Sequence, residues 1–309
     1  MANLIKVQRW EDSSNTAPAS QIFVVNDHII SAFVEQGSRR PVVFIHGNSA
    51  TKAAWLRQIA AVRERGHAVL ALDLPGHGES YDSPRPEKTY NFKGYAHVVG
   101  DVLKQLQWQS FHVVGWSLGG HIGLELLATN KRLASLLIVG TPPIVLRPES
   151  ATAAFHTTPS MALTGKHHFS DGEAIAFGTS FMGGERFLTL EILNAVRRTD
   201  GRAREIMVNS AKAGTGGADE REAVQTSPKP LCVVHGEDEP FIRLDYLQKL
   251  SYRALWRESI QVIPNTGHAP HCQSPATFNK ILLEFLADVE SELATQPHRK
   301  SRKGKTPPP

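Results

Sequence analysis

The sequence Gly-Trp-Ser-Leu-Gly at residues 115–119 has the residue types and spacing of a serine nucleophile on a tight turn. A β-branched run ends at Gly115 and an apolar helical pattern begins at Leu118, so the serine stands between a strand and a helix. Glycines two residues before and two after Ser117 leave room where the backbone of such a turn approaches itself. A serine placed there can attack a carbonyl carbon. The motif therefore predicts acyl transfer through a covalent intermediate.

A serine hydroxyl needs a base, and His268 is the histidine best placed to be that base. It follows the last predicted strand directly, within the loop Asn-Thr-Gly-His-Ala-Pro at residues 265–270. The carboxyl ends of parallel strands meet at one edge of a sheet, and Ser117 emerges at the same edge. We therefore predict that His268 takes the proton of the Ser117 hydroxyl.

The third member of such a triad is a carboxylate after the preceding strand, because the chain order is serine, acid, histidine. Glu237, Asp238 and Glu239 are the three candidates. Glu239 stands three residues after Gly236 and directly before Pro240, the usual position of the acid, and the proline keeps its backbone extended. We predict Glu239 as the acid and keep Asp238 as the alternative.

Acyl transfer also needs N–H donors aimed at the oxyanion that develops on the substrate. The backbone N–H of Leu118, at the start of the helix after the serine, is one predicted donor. The other is the N–H of Asn48, in the loop His-Gly-Asn-Ser after the first predicted parallel strand. Gly47 lets the backbone of this loop approach the site.

An apolar acyl pocket is predicted in residues 144–227, where the regular alternation of strands and helices stops. Five of the thirteen phenylalanines lie between residues 155 and 187, together with two methionines. Such side chains either line a channel for an apolar chain or form a core of their own. We predict substrate contacts at Trp116, Phe177 and Phe181, and a small-molecule ester or lactone with an apolar acyl chain as the substrate.

The elements around these residues alternate between apolar strands and helices, which indicates a mostly parallel sheet with helices on both faces. A hairpin at residues 21–34, with Asn26 and Asp27 at its turn, precedes the alternation. Strands are predicted at residues 42–46, 68–73, 111–115, 135–140, 231–235 and 259–263. Helices are predicted at residues 92–107 and 118–129, and a last helix begins at Pro275 with Ser274 as its N-cap.

The domain assignment follows from this pattern. Residues 1–143 and 228–294 form the predicted α/β core, and residues 144–227 form a helical cap inserted between two of its strands. Residues 295–309 are basic and rich in proline, which predicts a disordered tail.

The formal charge of +4 on the 309 residues arises in the tail, since five lysines and arginines lie in the last eleven residues. The rest of the chain is near neutral, which gives no support for binding nucleic acid or membranes. Two cysteines, a polar N-terminus at residues 1–15 and the lack of a long apolar run predict a cytoplasmic protein. The sequence leaves the oligomeric state open.

No metal and no cofactor is predicted. Asp73 and His77 flank a Leu-Pro-Gly turn, but no companion ligands accompany them and no His-rich metal motif occurs. We interpret residues 73–80 as a structural turn near the site.

Over residues 20–290 the chain resembles α/β-hydrolase-fold enzymes with a cap, and most resembles the metal-independent N-acyl-homoserine lactonases that degrade bacterial quorum-sensing signals. The matching stretches are residues 46–49, 115–123, 140–143, 198–204, 214–217, 238–241 and 267–270. The stretches at 198–204 and 214–217 are the more specific ones, since the catalytic motifs occur in many esterases. Where those lactonases have a cap tyrosine near the substrate, this chain has Phe177 or no equivalent.

This resemblance implies a serine hydrolase that opens the lactone ring through an acyl-enzyme, with Ser117, Glu239 and His268 as its triad. Serine as the nucleophile argues against haloalkane dehalogenases and the related epoxide hydrolases, which use aspartate. The alternatives are a general carboxylesterase, a C–C bond hydrolase and, in another class, a ligand-binding receptor of the same fold. Multiple turnover distinguishes an enzyme from such a receptor.

Overall fold

The computed structural model describes residues 18–295 of the chain. The interpretation of residues 1–15 therefore lies outside the described part. The predicted tail lies outside it as well, except for Thr295, which is the last residue of the final helix.

A single sheet of eight strands forms the centre, in the order β1-β2-β4-β3-β5-β6-β7-β8. Strand β2 is antiparallel to both β1 and β4, and all other neighbouring strands of this sheet are parallel. The predicted N-terminal hairpin is present, and Asn26 turns it with a φ of +50°. The strands are β1 (Ser20–Val25), β2 (His28–Glu35), β3 (Arg39–Ile45), β4 (His67–Leu72), β5 (Phe111–Trp116), β6 (Leu133–Val139), β7 (Leu231–Gly236) and β8 (Gln261–Ile263).

Thirteen α-helices are described within residues 18–295, together with short 3₁₀ segments at Lys52–Trp55, Glu185–Phe187 and Trp256–Glu258. The helices are α1 (Leu56–Glu64), α2 (Pro86–Thr89), α3 (Phe92–Gln105), α4 (Leu118–Thr129), α5 (Pro148–Ala154), α6 (Pro159–Leu163), α7 (Asp171–Met182), α8 (Leu190–Arg198), α9 (Gly201–Lys212), α10 (Glu220–Thr226), α11 (Leu244–Lys249), α12 (Pro270–Gln273) and α13 (Pro275–Thr295).

Both faces of the sheet are buried. Successive residues of a strand point to opposite sides, and alternate residues of β3 belong to two different apolar clusters. In β3, Val43 and Ile45 belong to the apolar cluster that also contains residues of α3 and α4. Val42 and Phe44 belong to the second cluster, with residues of α1 and α13. The predicted α/β-hydrolase architecture, a mostly parallel sheet with helices on both faces, is confirmed.

Six helices, α5 to α10, lie between β6 and β7, which are neighbours in the sheet. Apolar residues of these helices, such as Phe177 and Met207, extend the cluster that contains α3 and α4. Helix α10 packs against α4, the helix that follows the serine. The segment thus lies on the side of the molecule that carries Ser117, and its boundaries as a separate cap remain a prediction.

None of the helices described in residues 18–295 has the combined length and apolar character that crossing a membrane requires.

Candidate active site

Ser117 occupies a strained turn between β5 and α4. Its φ is +53° and its ψ is −116°, a backbone conformation that residues with a Cβ rarely adopt. The flanking glycines are required: a Cβ on Gly115 would lie 2.3 Å from the Gly119 carbonyl oxygen, and a Cβ on Gly119 would lie 2.1 Å from the Ile45 carbonyl oxygen. Any side chain at residue 115 or 119 would thus collide with neighbouring backbone, so the turn between β5 and α4 requires glycine at both positions.

His268 and Glu239 contact each other at the end of the sheet. His268 Nδ1 lies 2.8 Å from Glu239 Oε2, although the two residues are 29 positions apart in the chain. Both side chains are buried, and the second carboxylate oxygen of Glu239 accepts a hydrogen bond from the Phe241 N–H at 2.9 Å. An imidazole ring held in this way has one defined orientation.

The other two candidate acids point elsewhere. Asp238 is exposed, and its backbone N–H bonds to the Thr266 carbonyl at 2.8 Å. Glu237 is exposed too, and its carboxylate accepts the Asn265 N–H. Among the three carboxylates after β7, only Glu239 meets His268.

The second ring nitrogen of His268 is not engaged by Glu239. His268 Nε2 is buried and has no hydrogen-bond partner among residues 18–295. Ser117 and His268 line the same cavity, which has a volume of about 200 Å³. The rings of Phe181 and Phe241 meet the imidazole edge-on, with centroids 5.1 Å and 5.0 Å away. These aromatic contacts fix the plane of the imidazole.

The two predicted oxyanion donors border this cavity as well. Asn48 and Leu118 both line it, and Leu118 is the first residue of α4, where N–H groups have no acceptor within the helix. The Asn48 side chain is used otherwise, since its amide donates to the Thr164 carbonyl at 3.0 Å. The side chain of Asn48 thus connects the loop after β3 with the region after α6, and its backbone N–H remains the predicted donor.

A buried ion pair supports the Asn48 loop. Lys52 Nζ lies 2.7 Å from Asp73 Oδ2 and 2.7 Å from Glu79 Oε2, and the Lys52 side chain is only 4% exposed. The Lys52 N–H also donates to Asp73 Oδ1, and the hydrogen bond from Lys52 lowers the pKa of Glu79 to about 2. The turn at residues 73–80 therefore holds the segment after β3, as its structural interpretation requires.

The three predicted substrate contacts lie in different places. Phe181 borders the cavity with Ser117. Trp116 and Phe177 instead line a second cavity, of about 260 Å³, which Phe181 and Asn48 also border. Phe181 stacks on Phe177, with ring centroids 4.2 Å apart. Phe181 is thus a wall between two apolar cavities, and the substrate contacts of all three residues remain predictions.

Sequence reasoning missed two residues beside the first cavity. His121 lines it, and its ring contacts the buried carboxylate of Glu220. Within residues 18–295, no group of three or more histidine, cysteine, aspartate or glutamate side chains is arranged to hold a metal ion.

Comparison with known proteins agrees with this architecture. Residues 42–281 match the family model described as the alpha/beta hydrolase family. Among curated proteins, a non-heme chloroperoxidase of Kitasatospora aureofaciens is 26% identical, with 86% of this chain and 98% of that protein aligned. An esterase of Mycobacterium tuberculosis is 24% identical, with 88% of this chain and 91% of that protein aligned.

Among solved structures, the N-acyl homoserine lactonase AidH is similar over nearly its whole length. A mutant of AidH complexed with N-hexanoyl homoserine lactone matches with a TM-score of 0.84 and 36% identity, over 88% of this chain and 99% of that chain. AidH complexed with N-butanoyl homoserine matches equally well, over 91% of this chain. A meta-cleavage product hydrolase, CumD, is 18% identical with a TM-score of 0.70, and this likeness concerns the fold alone.

Proposed function

The chain belongs to the alpha/beta hydrolase family, and from this premise we propose that it opens the lactone ring of N-acyl-homoserine lactones through an acyl-enzyme. The observation that carries the proposal is the buried contact between His268 Nδ1 and Glu239. It leaves His268 Nε2 without a partner among residues 18–295, and His268 lines the same cavity as Ser117. The 36% identity with AidH supports the substrate class. The triad is then Ser117, His268 and Glu239.

The first half of the reaction forms the acyl-enzyme. Ser117 Oγ attacks the lactone carbonyl carbon while its proton moves to His268 Nε2. The N–H groups of Asn48 and Leu118 bind the resulting oxyanion. The ring C–O bond then breaks, and the alkoxide takes the proton from His268. Because the leaving alcohol belongs to the same molecule, the whole substrate stays attached to Ser117 as an ester.

The second half releases the product. His268 takes a proton from a water molecule as the oxygen of that water attacks the ester carbonyl. The bond to Ser117 breaks, and the serine regains its proton from His268. The product, N-acyl-homoserine, contains one water more than the lactone.

Glu239 orients His268 and stabilises its cationic form. With the ring Nδ1–H donated to Glu239 Oε2, the proton of Ser117 can enter only at Nε2. The Phe241 N–H holds the carboxylate itself in place. The pair is shielded from water, so the attraction between the carboxylate and the imidazolium is strong.

Phe181 limits the length of the acyl chain. The cavity with Ser117 has a volume of about 200 Å³, which is below the roughly 300 Å³ at which pockets for drug-sized ligands begin. This size suits a short acyl chain. Further space lies behind Phe181, in the second cavity.

Phe181→Ala is therefore expected to join the two cavities and to raise kcat/KM for N-dodecanoyl relative to N-hexanoyl homoserine lactone by about tenfold, the worth of burying roughly two methylene groups. Steady-state kinetics with lactones of 4 to 12 acyl carbons measures this ratio. Phe187→Ala is the matched control, since Phe187 lies in the same segment and lines neither cavity. If the dependence of kcat/KM on acyl-chain length is the same in Phe181→Ala as in the wild type, Phe181 does not limit the length of the acyl chain.

A carboxylesterase is the second candidate function, because an esterase is among the aligned relatives and a serine–histidine–acid triad can hydrolyse simple esters as well as lactones. A panel of N-acyl-homoserine lactones and 4-nitrophenyl esters, with products identified by mass, separates the two. We expect multiple turnover, a higher kcat/KM for the lactones and products heavier by one water. Turnover of aryl esters alone identifies an esterase, and binding without multiple turnover identifies a receptor. Release of a free fatty acid from the lactones identifies cleavage of the amide.

A further inference from the structure

A second imidazole–carboxylate pair lies beside the cavity with Ser117, and the mechanism above does not use it. His121 lines this cavity, and its Nδ1 lies 2.8 Å and 3.0 Å from the two carboxylate oxygens of Glu220. Glu220 is completely buried and His121 is 8% exposed. An apolar pair of similar volume would fill this space at less cost in desolvation. The pair therefore calls for a role other than packing.

The position of the His121 ring is fixed by three neighbours. The backbone N–H of His121 bonds to the Ser117 carbonyl at 3.2 Å, so His121 belongs to the first turn of α4, directly after the serine. Phe92 covers one face of the ring in a parallel stack, with centroids 4.5 Å apart. Since Nδ1 faces Glu220, the ring edge that carries Nε2 is left for the cavity.

The contacts of Glu220 indicate which nitrogen carries the proton. One carboxylate oxygen of Glu220 also accepts the Ile144 N–H at 2.9 Å, and the Glu220 N–H donates to the Ile144 carbonyl. A ring nitrogen close to both carboxylate oxygens is a donor shared between two acceptors. The proton of the neutral ring is then at Nδ1, and Nε2 offers a lone pair. No hydrogen bond joins Nε2 to another residue among 18–295.

We infer that His121 is a specificity residue whose Nε2 accepts a hydrogen bond from a hydroxyl group on the acyl chain, as in a 3-hydroxyacyl substrate. Apolar side chains such as Phe92, Ile144, Leu146 and Met207 line much of this cavity, and the polar side chains of Arg147, Thr164 and Lys212 border it as well. A carbonyl in the same place would face the lone pair of Nε2 without a proton between them. The inference rests on the proposed function for the place of the acyl chain.

The test compares N-(3-hydroxyhexanoyl), N-(3-oxohexanoyl) and N-hexanoyl homoserine lactone at pH 7.5, corrected for uncatalysed ring opening. Wild-type kcat/KM is expected to be about three- to tenfold higher for the 3-hydroxy substrate than for the unsubstituted one, which is the net worth of one hydrogen bond. The kcat/KM for the 3-oxo substrate is expected to be lower than that for the unsubstituted substrate.

Two variants separate this role from a structural one. In Glu220→Gln, the new amide carbonyl must accept the Ile144 N–H, so its NH₂ faces His121 Nδ1 and moves the ring proton to Nε2. The 3-oxo substrate is then expected to exceed the unsubstituted one about threefold, since Nε2 has become a donor. His121→Phe is expected to abolish the advantage in kcat/KM of the 3-hydroxy substrate over the unsubstituted one, since the hydroxyl loses the partner that offsets its desolvation. If His121→Phe does not fold, Glu220→Gln decides alone. A purely structural role of the pair would lower kcat/KM for all three substrates by the same factor.

Binding to Ser117→Ala protein, measured by calorimetry with the same three lactones, keeps the inference independent of turnover. If wild type opens no lactone but Ser117→Ala binds the 3-hydroxy lactone three- to tenfold more tightly than the unsubstituted one, the proposed function fails and the inference holds. If lactones are opened but the three kcat/KM values are equal, or unaffected by both variants, the inference is overturned alone. No binding of any of the three overturns both.

Discussion

Replacing Ser117 by alanine or glycine is expected to lower kcat for the proposed opening of lactones by about 10⁴- to 10⁶-fold. The variants lose the atom that forms the proposed acyl-enzyme, whereas the cavity and the predicted N–H donors of Asn48 and Leu118 remain. What activity is left comes from binding and from the oxyanion donors. Lactones should therefore still bind, with a Kd close to the wild-type KM for substrates whose chemical step is slow.

The two variants are expected to differ in stability, because Ser117 has a φ of +53° and a ψ of −116°. Glycine adopts such a backbone without the steric cost that a Cβ causes. The free energy of unfolding of Ser117→Gly should therefore be about 1 kcal/mol higher than that of Ser117→Ala. Urea denaturation of both proteins measures the difference. Retention of more than about a hundredth of the wild-type kcat in either variant contradicts the role of Ser117.

Replacing Glu239 by glutamine is expected to lower kcat by about 10³- to 10⁴-fold, because it changes which ring nitrogen of His268 carries the proton. In Glu239→Gln the new carbonyl takes over the Phe241 N–H, because that donor would otherwise be buried without a partner. The amide NH₂ then faces His268 Nδ1 and places the ring proton on Nε2. A ring protonated at Nε2 cannot accept the proton of Ser117.

Asp238→Asn is the matched control for this effect. Asp238 is the neighbouring residue, it is exposed and its side chain does not meet His268, so kcat should change less than twofold. Both variants are compared by steady-state kinetics after circular dichroism has shown that they are folded. A larger loss in Asp238→Asn than in Glu239→Gln transfers the acid to Asp238, the alternative that the sequence left open.

The positions of Ser117, Glu239 and His268 were predictable because each residue follows a strand in a recognisable local pattern. A parallel sheet brings the carboxyl ends of its strands to one edge, so residues 29 positions apart meet there. Glycine marks the close approach: a Cβ on Gly236 would lie 2.2 Å from the Gly267 carbonyl oxygen. The loops that carry the acid and the base touch at this glycine.

The ion pair of Lys52 and the contact of His121 with Glu220 were not predictable from local patterns. Lys52 lies at the start of an amphipathic pattern, where a lysine is normally solvated, and its partner Asp73 is 21 residues away. His121 and Glu220 are separated by 99 residues. They meet only because α10 packs against α4, and no spacing in the sequence indicates that packing.

The positions of the two cavities could not be predicted from local sequence patterns either. Phe177 and Phe181 are four residues apart on α7, a spacing that places them on one face of a helix. Periodicity thus predicts that they share an environment. In the structure Phe181 borders both cavities, whereas Phe177 borders only the second, since the packing of the helices decides where the empty space lies.

The most direct test of the central claim is rapid-quench mass spectrometry of the peptide that contains Ser117, within the first turnover of N-hexanoyl homoserine lactone. The leaving alcohol of a lactone stays attached, so we predict a peptide heavier by the full mass of the substrate, with the modification on Ser117. A peptide heavier by the hexanoyl group alone, or an adduct on a different residue, would contradict lactone opening by this serine.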